Sequence, residues 1–371
     1  MMAKDQGENP RPRVTIQDVA RAAGVSVSTV SNLLNGRDGR MRPGTSRRVR
    51  QAIVELDYQP SDVARQLRTG QGRMLGLIVP SVANPFWADL AHVFEAEALR
   101  YGYQVALCNG ERDPDRERAY VEDLWTSGVR AVILGSSLPS LSHLMPAIRR
   151  GLRLIAFDRE TIEGDDQSVI SVSVDNRVGG FIATRYLLLL GHRRIGFITG
   201  RVETISRRQR LAGYQQAIHE AGVQFTKELI WEGHSTEGYG DIESAKLGKQ
   251  GIVALLELPD PPTAIVTIND IYAIGVMAGV RERGLTVPTD VSVVGFDDIV
   301  LSSLVDPPLT TVSQPLTEMA RFAIDVIRGA HEISPDTRTS LVVMPRLIVR
   351  ESAGSPRPAS TLAPPDTSES A

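Results

Sequence analysis

Cysteine is almost missing from these 371 residues, with Cys108 the only one. A single thiol forms no internal disulfide, and its place in the strand-like "YQVALCNG" suits a buried small hydrophobe better than a reactive nucleophile. His and Cys clusters at metal-ligand spacing are missing too, so no metal and no other cofactor is expected. No apolar run approaches the roughly 18 residues needed to cross a bilayer; the longest, such as "LGLIVP", are strand-sized. The opening "MMAKDQGENPRPR" lacks the apolar core of a secretory signal, so a cytoplasmic chain is expected. Catalytic signatures are equally scarce. There is no phosphate-binding P-loop and no GxSxG elbow, the glycines of "TGQGRMLG" precede a strand instead of opening a helix, and the serines of "GVSVSTVSNLLNG" have no base partner. An enzyme is not expected.

What is present is unevenly distributed. The formal net charge is −3, yet residues 10–73 carry twelve Lys/Arg against five Asp/Glu, and residues 74–371 carry 28 against 37. A basic head is joined to an acidic body. That head is the footprint of a phosphate-backbone ligand, or else a solvated basic surface. In the body, apolar runs ("MLGLIVP", "YQVALCNG", "RAVILGSS", "LRLIAFDRE", "IGFITG", "TAIVTIND", "VSVVGFDD") alternate with helical segments such as "PFWADLAHVFEAEALRYG", "RVGGFIATRYLLLLGH" and "DIYAIGVMAGVRERG". Continuous apolar strands between helices imply parallel sheets covered on both faces. Nine or ten strand candidates over some 280 residues suit two lobes better than one sheet, with a ligand between them at the carboxyl ends of strands. The expected division is a disordered N-terminus over 1–12, a helix-turn-helix head over 13–60, a hinge and linker over 61–72, a two-lobed core over 73–351 and a disordered Pro/Ser/Ala/Thr-rich tail over 352–371.

Within the head, "VTIQDVARAAGVSVSTVSNLLNG" predicts two short helices. Thr15 is placed to cap the first, with Asp18 completing a short capping box, and Gly24 permits the turn. Ser26 caps the second, which runs to about Asn35. At 100° per residue Val30, Leu33 and Leu34 share its inner side, while Val27, Ser28, Ser31 and Asn32 share the other. Such an outward strip suits base edges in the major groove, where Asn pairs with adenine and a Val methyl meets the thymine methyl; an idle polar face is the alternative. The basic run "RRVR", Arg47 to Arg50, would flank it on phosphates.

These residues closely resemble the lactose-repressor (LacI/GalR) family. The resemblance rests on "TIQDVARAAGVSVSTVSNLLNG" and "TSRRVRQAIVELDYQPSDVARQLR", and continues through "GLIVPSVANPFWADL", "DNRVGG", "GHRRIGFITG", "RLAGY", "NDIYAIG", "VPTDVSVVGFDD", "PPLTTVSQP" and "LIVRES", from about Val14 to Ser352. It implies a homodimer reading pseudo-palindromic double-stranded operator DNA, and a periplasmic-binding-protein-like α/β core with parallel sheets that senses a small molecule. By position, Val27, Ser28 and Asn32 are similar to base readers and Ser31 and Arg47 to phosphate contacts. Ala64 and Leu67 are similar to the hinge residues placed in the minor groove, where a wedged Leu bends DNA. The stretch "NGRDGRMRPGTSRR" departs from the family pattern: it is about one residue longer, and Arg42 stands where a small capping residue is usual.

For the effector, Asp158, Arg210, Asn269 and Asp297 resemble the family's sugar-contacting residues, and Phe86 and Trp87 the aromatics lining its cleft; Ser206 and Arg159 are weaker candidates. Carboxylates, amides, a guanidinium and an aromatic face are the groups a polyhydroxylated ligand needs. Helix capping by Asp158 or Asp297, and a core role for Phe86 or Trp87, are the alternatives; Asp270, and after it Asp298, are expected to cap helices. His234 and Ser235 depart from the family pattern, which leaves the effector's identity open. The expected function is a DNA-binding transcriptional regulator, most simply a repressor, controlled by a sugar or sugar derivative. A solute-binding protein without a regulatory role, and a regulator controlled mainly by a protein partner, stay open at this point, as do inducer against corepressor response and dimer against tetramer.

Overall fold

Three short helices account for the described part of the head. In a computed structural model, residues 14–34, 39, 41–58, 74–234, 243–330 and 339–357 are described, and the chain divides into two units, Met1–Gly72 and Arg73–Ala371. Helix α1 (Ile16–Ala23) opens on the expected capping box: the Thr15 side chain accepts from the Asp18 N–H, and the Asp18 carboxylate accepts from the Thr15 N–H at 3.0 Å. Gly24 closes it at φ 62°, a left-handed position where a Cβ would strain the turn. Helix α2 (Val27–Leu34) begins with the Ser26 hydroxyl accepting from the Thr29 N–H at 3.2 Å. Helix α3 (Pro43–Glu55) starts at Arg42, which supplies no side-chain cap; proline at the first position limits the loss, because its missing N–H would have been an orphan. Val19, Ala20, Ala23, Val30, Leu33, Val49 and Ala52 form the buried core of this unit.

The second unit is built on two six-stranded sheets. Strands β1 (Met74–Val79), β2 (Gln104–Asn109), β3 (Ala131–Leu134), β4 (Arg153–Phe157), β5 (Ile170–Val174) and β11 (Ser340–Val343) form the first, in the order β11-β5-β4-β3-β1-β2 and parallel throughout. Strands β6 (Ile195–Gly200), β7 (Ile230–Gly233), β8 (Ala264–Thr267), β9 (Ser292–Asp297), β10 (Thr310–Ser313) and β12 (Arg346–Ile348) form the second, in the order β12-β10-β9-β8-β6-β7. Only its edge strand β12 runs antiparallel. Helices α4 (Pro85–Leu99), α5 (Pro114–Thr126) and α6 (Met145–Arg149) belong to the first lobe, and α7 (Asn176–Leu189), α8 (Ile205–Glu220), α9 (Ser244–Leu256) and α10 (Asp270–Glu282) to the second. Helix α11 (Leu316–Ile327) follows β10 but packs on α4, so the chain crosses between lobes near residues 175, 314 and 344. The central strands are buried along their whole length, as doubly covered parallel strands must be.

Two expectations change here. Ser352 does not begin a disordered tail: it is fully buried, its hydroxyl donates to the Val293 carbonyl at 2.6 Å and accepts from the Thr310 N–H at 2.8 Å. The Gly354 carbonyl lies 2.9 Å from His192 Nε2. A composition rich in Ser and Pro missed these backbone and hydroxyl bonds, which tie residues 352–354 to the second sheet. Asp270 is not the cap of α10 either; that role falls to Asn269, whose backbone is extended at φ −158°. Cys108 is half-buried in β2, and burial pushes its thiol pKa up, away from reactivity.

Candidate functional site

In the head, α2 turns Val30 and Leu33 inward and leaves Val27, Ser28 and Asn32 exposed, with Ser31 intermediate. The helix carries no charge of its own; α3 carries exposed Arg47, Arg48 and Arg50 around the buried Val49. Ala64 and Leu67 lie outside the described residues.

In the core, an inner cavity lies between the lobes. The first lobe lines it with Asn84, Phe86, Trp87, Arg112 and Asp158, the second with Ser206, Arg207, Arg210, Ile268, Asn269 and Asp297. Arg210 comes from the second turn of α8 and Arg112 from the loop after β2; the other side chains arrive from strand ends or helix starts. Asn84 caps α4 by accepting from the Phe86 N–H at 3.1 Å, which places Phe86 and Trp87 in the first turn. Their rings meet edge to face at 4.9 Å. Thr204 caps α8, and Ser206 and Arg207 follow it. Asp158 and Asp297 end β4 and β9 in left-handed backbone conformations, at φ 59° and 113°, a local cost of order 1–3 kcal/mol that marks functional positions.

Arg210 sits at the centre. Its Nη2 is 3.8 Å from Asp158 Oδ1 and its Nη1 3.6 Å from Asp297 Oδ1, one carboxylate from each lobe. It also donates through Nε to Asn176 Oδ1 and through Nη1 to the Ile268 carbonyl, both at 2.7 Å, and lies 3.5 Å above the Phe296 ring. The backbone beneath it is fixed by packing: a Cβ at Gly180, in the "DNRVGG" stretch of α7, would overlap the Arg210 carbonyl. Burial raises the pKa of Asp158 and raises that of Asp297 well above the ordinary carboxylate value, with Arg210 opposing both shifts. Asp158 Oδ1 has no hydrogen-bond partner, whereas Asp297 Oδ1 accepts from Gln314 Nε2 at 2.8 Å. Neither aspartate caps a helix.

Of the residues expected at the effector site, Phe86, Trp87, Asp158, Ser206, Arg210, Asn269 and Asp297 line this cavity. Asn269 accepts from the Tyr272 N–H through its side-chain oxygen at 3.0 Å, which leaves its amide nitrogen as a donor. Arg159 does not join them. Its guanidinium turns to Asp165, 3.0 Å from both carboxylate oxygens, past the end of β4 where Asp158 takes a left-handed backbone. Asp298 is not a cap; it pairs with Arg350 at 2.7 Å. Arg112, Arg207 and Asn84 were missed. Arg112 lies three residues beyond β2, a strand end that the general rule for parallel sheets flags, and Arg207 shares the first turn of α8 with Ser206. Beyond Phe86 and Asp297, which border both spaces, an outer groove of about 580 Å³ is lined by Asp89, Asp298, Gln314, Glu318 and Arg321, among others.

A head with a helix-turn-helix surface, on a chain whose core is a pair of parallel-sheet lobes around a polar cavity, defines a ligand-responsive DNA-binding regulator. Family models agree: residues 15–61 match bacterial regulatory proteins of the lacI family, and residues 184–353 match a periplasmic binding protein-like domain. The chain belongs to the LacI family of bacterial transcriptional regulators. It is 35% identical over 346 residues to the ribose operon repressor of Escherichia coli (strain K12), covering 91% of this chain and 99% of that one. A crystal structure of the Lac repressor dimer bound to operator and the anti-inducer ONPF superposes with a TM-score of 0.78 at 26% identity, covering 92% of this chain and all of that chain. The regulator CelR in complex with cellobiose superposes with a TM-score of 0.64 at 29% identity over the same shares. Among the described residues no helix is long and apolar enough to cross a membrane.

Proposed function

We propose that this chain is a cytoplasmic, non-catalytic repressor whose homodimer binds a pseudo-palindromic operator and is controlled by a small polyhydroxylated molecule held between the lobes. The observation that carries it is Arg210 between Asp158 and Asp297, a buried donor and two buried acceptors contributed by both lobes. Asp158 Oδ1 offers an open acceptor, Asn269 an amide, and Phe86 and Trp87 the apolar face that the C–H side of a sugar ring packs on. Two relatives support a carbohydrate effector by their names, the ribose operon repressor and the CelR complex with cellobiose. As it stands the inner cavity has room for about 30 Å³ of water centres, where one water takes roughly 10–15 Å³. Effector entry therefore requires the lobes to part or the Phe86 and Asp297 wall to move, and that coupling between ligand and lobe position is what a switch needs.

In this reading Val27, Ser28 and Asn32 read bases, Ser31 and Arg47 hold phosphates, and Ala64 and Leu67 work in the minor groove. The effector lowers operator affinity because it favours a lobe arrangement the operator complex disfavours, and operator lowers effector affinity by the same factor, about 5–150-fold for a coupling of 1–3 kcal/mol. The test is selection of operator sequences from random DNA by the full chain, repeated with a panel of sugars and sugar derivatives. Recovery of a pseudo-palindrome released by one compound supports the reading. Salt-sensitive binding without sequence preference, unchanged by every compound, overturns it.

A further inference from the structure

The lobes meet at Arg210 with Asp158, and they meet again a turn earlier on α8. The loop after β3, Gly135 to Ser137, reaches from the first lobe to the start of that helix in the second. The Ser137 carbonyl accepts from the Ile205 N–H at 2.9 Å, and its Oγ accepts from the Ser206 N–H at 3.1 Å. The first N–H groups of a helix have no partner inside it. Thr204 supplies one acceptor, to the Arg207 N–H at 3.3 Å, and Ser137 supplies the other two. The cap of α8 is thus split between the lobes.

Ser137 is fully buried and holds a left-handed backbone at φ 57°, which a residue with a Cβ adopts at a cost and keeps where its surroundings enforce it. Its loop is built onto the cavity wall. A Cβ at Gly135 would overlap the Trp87 ring, and the Ser136 carbonyl accepts from Arg112 Nε at 3.0 Å. Trp87, Arg112 and Ser206 all line the cavity, so a group that displaces Trp87 or Arg112 from within displaces the same short loop that ties the lobes.

We infer that Ser137 is a positioning residue: it holds the lobes in the arrangement that operator favours, and effector entry breaks its two bonds to α8. This rests on the inter-lobe regulatory reading above. In the tied arrangement the inner cavity is too small for a sugar ring, so effector binds best once the tie is broken. The linkage by which effector lowers operator affinity then requires operator to strengthen the tie. Ser137 acts without touching either ligand.

The experiment is hydrogen exchange of the Ile205 and Ser206 amides in the full chain, free and bound to the duplex recovered by the operator selection. The Arg207 amide, capped from within its own lobe, is the internal reference. Exchange at such sites follows local opening. In the free chain Ser137→Ala is expected to speed the Ser206 amide by about 2–10-fold, the worth of one hydrogen bond. Bound operator is expected to slow both wild-type amides by at least about fivefold relative to Arg207; a contact that only supports the fold exchanges alike with and without DNA. Ile205→Pro tests the tie from the other side. Proline suits the first position of a helix, and Thr204 before it is already extended at φ −78° and ψ 155°, yet the ring removes the N–H and crowds the Ser137 carbonyl. Operator affinity in that variant is expected to fall by about 5–150-fold, with the selected sequence unchanged. Exchange in Ser137→Ala equal to wild type, amides that exchange alike free and operator-bound, or full operator affinity in Ile205→Pro overturns this inference and leaves the regulator reading standing. A wild-type chain that selects no duplex overturns that reading and this inference with it.

Discussion

The head and the core use polar side chains in opposite ways. In the head, Val27, Ser28 and Asn32 are exposed on a helix whose buried side is two residues, Val30 and Leu33, so none of the three belongs to the head's buried core. In the core, Arg210, Asp158 and Asp297 are buried, and each is held by groups that would be stranded without it. A surface that reads an external partner is separable from stability, and a site that must sense a ligand inside a fold is not. Substitutions in the first should change specificity at constant stability; substitutions in the second should change both.

The strongest attempt to break that contrast is Arg210→Ala. It leaves two buried carboxylates without their shared cation, and breaking a buried pair from one side costs about 3–5 kcal/mol. The core is expected to lose that much in denaturant unfolding, together with all effector response. A core as stable as the wild type would show that the aspartates carry no charge needing compensation. Next comes a pH effect. Asp270, fully buried at the start of α10, accepts from the Ile299 N–H at 3.0 Å and from the Ser302 and Thr311 hydroxyls at 2.6 and 2.5 Å, yet burial raises its pKa to about 6. Because the folded state holds this proton more tightly than the unfolded chain does at 3.8, the contribution is complete below about pH 4 and is lost as pH rises through 6. Its full extent is up to about 3 kcal/mol. Denaturant unfolding from pH 4 to 7 checks it, as the difference between wild type and Asp270→Asn; equal slopes would refute it.

Smaller in size is Val30→Ala. Among the described residues the head has seven buried core residues, so losing about 2 kcal/mol of Val burial should unfold much of it and abolish operator binding, while the unfolding transition of the core stays in place. A shift of the core transition would mean the two units do not unfold independently.

How much of this was readable from the sequence follows the same divide. The head was legible because its signals are local: Thr15 with Asp18, Gly24 and Ser26 each act within a turn of where they stand. The other central strands were legible because burial on both faces makes them unbroken apolar runs, but β5, ISVSV, was missed because buried serines interrupt it, and β7, β10, β11 and β12 are three or four residues long and partly polar or exposed. At the cavity, strand ends pointed to Asp158, Asn269 and Asp297, and the family pattern to Arg210. Arg112 and Arg207 escaped because a long side chain reaches a site several ångströms from its own backbone, and the sequence carries no sign of its direction. The confusion of Asn269 with Asp270 has a narrower cause. Both residue types cap helices, and only the backbone decides which of the two is still extended when the helix begins.

Asn32→Ala is the smallest expected effect and the sharpest test of the contrast. Asn32 is exposed, and removing its amide takes nothing from the core formed by Val30 and Leu33, so head and core stability should stay within about 0.5 kcal/mol. Operator selection should instead relax at one position in each half-site, by about 1–3 kcal/mol of lost discrimination, because a bidentate amide is what distinguishes adenine. Arg47→Ala provides the control: a phosphate contact weakens all sequences alike and lowers the salt slope by about one. If Asn32→Ala behaves as Arg47→Ala does, the outward strip of α2 positions the head without reading bases, and sequence preference must come from the shape of the DNA.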